Sequence, residues 1–388
     1  MSKNVSEQLL DILQGVGVEK VYGVTGDALN FFVKAIEERD GVDWIGMKHE
    51  GNASFAAFGH SQTTENLAVC AGTVGPGALH LINGLYNAKK ERTPVIAITG
   101  QINQKQQGTS FFQEVDLKKV FDDVCDYQAI IETPEQAPMV IQRAIKIAMA
   151  NNAVCRIELP ANVAEMKAEN EQFVHPIKKY VSSLVPEESV VIEAANLLNS
   201  AKTVGILAGD GCRESRAAVI ELSKKLNAPI THSLRASDIF DHDTDNVVGL
   251  TGLIGNPSGY NAVMKCDLLL MLGTDFPYID FLPHETKTIQ VDIRQENIGN
   301  RTAVSLGVWS DISSLLEILN PKVEQKEDTT FIDKLIKNFE DWKGNMKEQA
   351  SPTRENEPLH PQIFADLVNE HASNDAIFTV ETGTSAIW

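Results

Sequence analysis

Residues 48–100 read KHEGNASFAAFGHSQTTENLAVCAGTVGPGALHLINGLYNAKKERTPVIAITG, and no other stretch narrows the fold as far. Leu67 to Ala71 and Pro94 to Ile98 are apolar runs of strand length. Between them Thr73-Val74-Gly75-Pro76-Gly77 cannot prolong a strand, because Pro76 lacks an N–H and the two glycines free the backbone. Ala78 to Lys89 returns to helical period, and an earlier helix runs from Asn52 to about Gln62 behind His49-Glu50-Gly51. Helix, strand, tight turn, helix and strand joined by short loops predict a parallel α/β sheet. A βα turn built of Gly, Pro, Thr and Val also presents backbone N–H groups at a helix N-terminus, which suits an anionic or polar ligand. Glu50 stands next to a His and ahead of small residues in a segment otherwise built for burial. It reads either as a helix-start charge favoured by the macrodipole or as a working carboxylate.

The same grammar extends along the chain. Val5 to Gln14 is a helix closed by Gly15-Val16-Gly17; Lys20 to Val24 is a strand, and Thr25-Gly26-Asp27 opens a helix to Arg39. Gly26-Asp27 reads as a turn with an N-cap or as a ligand contact. Thr109 to Glu114 is a loop with adjacent aromatics, and a helix at 134–150 and a strand at 154–159 complete the first domain. Residues 165–186 lack periodicity and read as a linker. Beyond it come a helix at 187–199 and a strand at 203–208. Gly209-Asp210-Gly211 then opens a helix at 214–226, and strands follow at 229–232, 267–272 and 287–293. This predicts a second doubly wound sheet, in which a lone G-x-G is a weak nucleotide signal. Residues 321–358 read as a connector with an amphipathic helix at 331–346, followed by a helix at 361–372 and a strand at 376–380.

A net charge of −19 argues against nucleic acid as a partner. The five cysteines are scattered, lack C-x-x-C spacing and sit mostly in apolar runs, as buried thiols of a reducing cytoplasm would. No signal peptide is read at the N-terminus, and no apolar run approaches the roughly 20 residues of a membrane span. The expected location is cytoplasmic.

The segments HEG, AVCAGTVGPGALHLINGLYNA, TPVIAITG and FFQE together resemble the pyrimidine-binding domain of thiamine-diphosphate (ThDP) enzymes. Within these the chain is most similar to the pyruvate oxidase / pyruvate:quinone oxidoreductase group. The resemblance implies that Glu50 hydrogen-bonds the aminopyrimidine ring of ThDP and promotes its imino tautomer, which needs a carboxylate shielded from water. It also implies that Gly26, Asp27, Gly75, Pro76, His80, Asn83, Phe112 and Gln113 line the ThDP and pyruvate pocket. In the middle domain it implies FAD held by three loops: Thr251-Gly252-Leu253-Ile254, Thr274-Asp275-Phe276-Pro277-Tyr278, and Asp292. Gly209 and Gly211 join that set, and the Gly209-Asp210-Gly211 letters are not taken as a metal site because of their place in the chain.

The expected architecture is therefore a ThDP pyrimidine-binding domain at 1–182 and a FAD-binding Rossmann-like domain at 183–328. A connector and the start of a diphosphate-binding domain, opening at Glu381, occupy 329–388. Most of that third domain, which in the family carries the Mg²⁺ and diphosphate ligands, lies beyond Trp388. The expected parent activity is oxidative decarboxylation of pyruvate to acetate or acetyl phosphate, with quinone or O2 as acceptor and a homo-oligomer, dimer or tetramer, as the assembly. Any peripheral membrane association belongs to the absent C-terminus. An acetolactate synthase-like carboligase with a non-redox FAD, and a non-catalytic FAD-binding remnant, are the alternatives.

Overall fold

The structure, a computed structural model, describes residues 3–169, 177, 180, 182–240, 244–351, 359–380 and 383. The chain divides into two compact units, residues 1–181 and 182–388. In the first, β1 (Lys20–Gly23), β2 (Asp43–Gly46), β3 (Ala68–Gly72), β4 (Val95–Gln101), β5 (Tyr127–Ile130) and β6 (Val154–Pro160) form one sheet. Its order is β2-β1-β3-β4-β6-β5, and every pairing is parallel. The apolar runs at β3, β4 and β6 are buried along their full length, as strands covered on both faces must be.

Their side chains alternate between two cores. Val69, Ala71, Ile96, Ile98, Cys155 and Ile157 pack against helices Val5–Gln14, Asn30–Glu37 and Ala137–Asn151. Ala68, Cys70, Val95, Ala97 and Val154 face helices Glu50–Thr64 and Ile82–Lys90. The strand order reverses between β1 and β3, so the loops leaving those two strands diverge and open a crevice at their C-terminal ends. The Gly75–Gly77 turn stands there.

The second unit holds β7 (Val204–Ala208), β8 (Ile230–His232), β9 (Val247–Leu250), β10 (Leu268–Leu272), β11 (Lys287–Asp292) and β12 (Leu306–Trp309). Again all pairings are parallel, in the order β9-β8-β7-β10-β11-β12. That is the dinucleotide-fold order, with its switch point between β7 and β10.

Three details differ from the sequence reading. The helix expected from Ala78 to Lys89 is two pieces, Pro76–His80 and Ile82–Lys90, because the ladder tightens at Leu81, whose N–H reaches Ala78 O. The supposed connector contributes helix Thr330–Gln349, whose Leu335 and Phe339 pack with Val248 and Ala262. Residues 376–380 are not a strand: they pair with no strand among the described residues, and Ile377 is 91% exposed. A β-branched run becomes a strand only where a neighbouring strand takes its backbone hydrogen bonds. The expectation for Glu381 and the terminal residues 384–388 lies outside the described residues.

Candidate active site

Helix Glu50–Thr64 starts with a non-helical His49 whose Nδ1 accepts the Gly51 N–H at 3.0 Å. This cap fixes Glu50 in the first helical position, where the carboxylate is favoured by the helix dipole. Glu50 is 9% exposed. Its Oε2 lies 2.9 Å from His80 Nδ1, and the His80 ring stacks on His49 at 4.4 Å with a 29° tilt. Oε1 faces the Gly-Pro-Gly turn: a Cβ added at Gly77 would sit 3.2 Å from it and 2.7 Å from Thr73 Cγ2. Only glycine leaves that hollow open.

The ligand atoms of His49, Glu50 and His80 all lie within 4.8 Å of one another. Two of those ring atoms are already engaged: His49 Nδ1 accepts the Gly51 N–H, and His80 Nδ1 meets Glu50 Oε2.

The switch point brings the predicted residues of the first unit together unevenly. Gly26, in the loop after β1, meets Thr73 so closely that an added Cβ would lie 2.6 Å from Thr73 Cβ. Asp27 starts the next helical turn and is exposed. Gly75 has φ +64°, and a Cβ there would lie 2.7 Å from Gln113 O, so Gln113, itself at φ 63°, is folded back onto the turn. Pro76, Asn83 and Phe112 are exposed, Phe112 by 77%. Thr73 was not singled out from the sequence, yet its Oγ1 is buried without a hydrogen-bond partner. A buried hydroxyl without a partner is costly, and a bound polar group would satisfy it. A shielded carboxylate, a glycine-lined hollow and an orphaned hydroxyl in one crevice fit an aminopyrimidine ring.

In the second unit the loops after β7 and β10 touch backbone to backbone. The Gly211 N–H donates to Gly273 O at 3.1 Å, Gly273 has φ +58°, and a Cβ on Gly209 would lie 2.5 Å from Thr274 Cβ. Thr251 is 4% exposed, and its Oγ1 has no partner. Gly252, at φ +103°, lies against the rings of Phe276 and Tyr278. Leu253, Ile254 and Tyr278 are exposed, Phe276 and Thr274 are buried, and Pro277 is at the surface. An apolar ledge and an orphaned hydroxyl thus stand together beyond the C-terminal ends of β9 and β10.

Other predicted residues are already engaged. Asp292 accepts from Arg294 N at 2.8 Å and Asn297 Nδ2 at 3.1 Å. Asp275 pairs with Arg301 at 3.2 Å. Asp210 is held by Arg213, and hydrogen bonds first to Asp238 and then to Asp210 raise that guanidinium's pKa above its ordinary value. No motif pointed to Arg301, Asn297 or Arg213, since each acts from outside the motif it supports.

Comparisons agree with this division. Residues 3–120 match the model of the thiamine pyrophosphate enzyme N-terminal TPP binding domain, and residues 191–319 match that of the thiamine pyrophosphate enzyme central domain. An uncharacterized 42.6 kDa protein from the isoamylase 3′ region of Pseudomonas amyloderamosa is 36% identical, over 92% of this chain and 90% of its own length. The putative thiamine pyrophosphate-containing protein YdaP of Bacillus subtilis is 33% identical over 100% of this chain, which spans 67% of it. Pyruvate oxidase of Lactiplantibacillus plantarum is 26% identical over 97% of this chain, which spans 63% of it. Proteins named as acetolactate synthases or probable ones match at 25–27% identity.

Proposed function

The chain belongs to the thiamine pyrophosphate enzymes, and we propose that the whole protein decarboxylates pyruvate oxidatively, using ThDP and FAD and passing electrons to a quinone or O2. The observation that carries the reading is Glu50, nine-tenths buried with one oxygen on His80 and the other facing the Gly-Pro-Gly hollow.

Bound ThDP would supply the carbanion chemistry and FAD the two-electron sink, with acetate or acetyl phosphate as product. Glu50 would share a proton between Oε1 and the ring nitrogen, away from water, in the direction that favours the imino tautomer. His80, through its 2.9 Å contact, keeps the carboxylate turned toward the turn. The Thr73 hydroxyl and the Gly26 backbone close the other side. Phe112 and Gln113 would meet the substrate from the loop folded onto Gly75. In the second unit the Thr251 hydroxyl, the backbone at Gly252 and Gly273, and the ledge of Leu253, Ile254 and Tyr278 would seat the flavin. A cytoplasmic homo-oligomer completes the reading.

The 25–27% identities to acetolactate synthases support a second reading, carboligation with a flavin that is not reduced. The visible spectrum under anaerobic pyruvate, with ThDP and Mg²⁺, separates the two. Flavin bands that bleach in the whole protein are the expected result. Unbleached bands with acetolactate formed would establish the carboligase. Unbleached bands with no product would mark a flavin-binding remnant, and absence of flavin would overturn the middle-domain assignment.

A further inference from the structure

Strand β6 carries an ion pair that the proposed chemistry does not use. Arg156 is 1% exposed and Glu158 6%, and Arg156 Nη1 donates to Glu158 Oε2 at 2.6 Å. Well-packed apolar residues often serve a core as well as such a pair, so stability is a poor account of it.

Apart from one from Arg156 Nη1 to Thr99 Oγ1 at 2.9 Å, its other hydrogen bonds lead to one segment. Glu158 Oε1 accepts from Gln101 Nε2 at 3.0 Å, and the same Nε2 reaches Val115 O at 3.2 Å. Arg156 Nε and Nη2 donate to Gln128 Oε1 at 3.1 and 2.9 Å, and Gln128 Nε2 donates to Lys118 O at 2.8 Å. The guanidinium also lies 5.1 Å from the centroid of the Phe121 ring. Val115, Lys118 and Phe121 are thus three grips on residues 115–121. That segment directly follows the Phe111–Gln113 turn, which is tightened by Glu114 accepting from the Gly108 and Phe111 N–H groups.

We propose that Arg156 and Glu158 are positioning residues. Through Gln101 and Gln128 they fasten residues 115–121 to the sheet, and so set the loop of Phe112 and Gln113 against Gly75. The consequence for substrate rests on the functional reading above; the fastening does not.

Hydrogen exchange on this chain tests it, comparing the parent with Gln101→Leu and with the double variant Arg156→Met/Glu158→Leu. The first removes one grip and leaves the ion pair in place. The second replaces the pair by apolar side chains of similar volume. Amides of 108–121 should exchange about tenfold faster in both variants, with β3 and β4 unchanged. Unchanged loop rates would overturn the proposal, as would uniform acceleration across the first unit. Loosening in the double variant alone would remove Gln101 from the route and overturn the proposal as stated. In the whole enzyme KM for pyruvate should rise about tenfold with kcat within about threefold, since a loosened loop weakens binding before it weakens chemistry. Faster loop exchange with KM unmoved would leave the fastening intact and sink the substrate role of the loop.

Discussion

Glu50 owes its setting to three neighbours that a sequence displays without explaining. His49 caps the helix and stacks on His80, His80 holds one carboxylate oxygen, and Gly77 keeps the other accessible. Position and pairing, not the identity of the residue alone, make it a candidate proton carrier. Glu50→Gln preserves the volume and can still meet His80 but cannot accept a proton, so turnover should fall by on the order of 10²–10⁴-fold. The fold should persist, because the amide keeps a hydrogen-bonding oxygen and leaves no charge stranded. Steady-state rates together with a thermal melt check this: a variant that melts normally and turns over at near the parental rate would remove Glu50 from the chemistry. The HEG motif pointed to Glu50. Thr73, by contrast, was invisible, since a buried hydroxyl without a partner is a property of three-dimensional surroundings.

At the scale of elements, legibility followed burial. β3, β4, β6 and β10 are buried from end to end and read as apolar runs, whereas β2, β5 and β12 are partly exposed strands that carry little periodic signal. The glycine turns that meet at both switch points were legible, but the strand order that makes them switch points was not. The same logic separates glycines that matter from those that do not. Gly209→Ala would push a Cβ into Gly273 O and to within 2.5 Å of Thr274 Cβ, a contact with a second glycine turn that has little room to retreat. That overpacking should lower the stability of the second unit by about 1–3 kcal/mol and weaken flavin uptake. Gly344, inside helix Thr330–Gln349, has nothing within 4 Å of its added Cβ. Gly344→Ala should therefore stabilise the same unit by about 0.5–1 kcal/mol. Urea midpoints for the pair decide the matter: equal effects of one sign would mean that the β7–β10 contact is not the constraint described.

Across the molecule, both units share a feature that composition only hinted at: every one of the five cysteines is buried and unpaired. Burial pushes the thiols of Cys125, Cys155, Cys212 and Cys266 up to about 12, and Cys70 is raised as well. In the unfolded chain a thiol titrates near about 8.5. Below that value both states hold the proton, and the thiols favour neither. As pH rises toward 12 the unfolded chain releases protons that the folded chain retains, so stability is lost on the alkaline side, by about 2 kcal/mol per thiol at pH 10. Three of these thiols lie in the first unit and two in the second. The loss in each is then comparable with the whole stability of an ordinary domain. No helix among the described residues is long and apolar enough to cross a membrane. At pH 8 the native chain should react with a thiol reagent at far fewer than five sites and with all five after denaturation, while the urea midpoint should drop steeply between pH 9 and 11. Rapid modification of the folded chain at pH 8, or an alkaline midpoint that does not move, would show that these cysteines are not held as the packing requires.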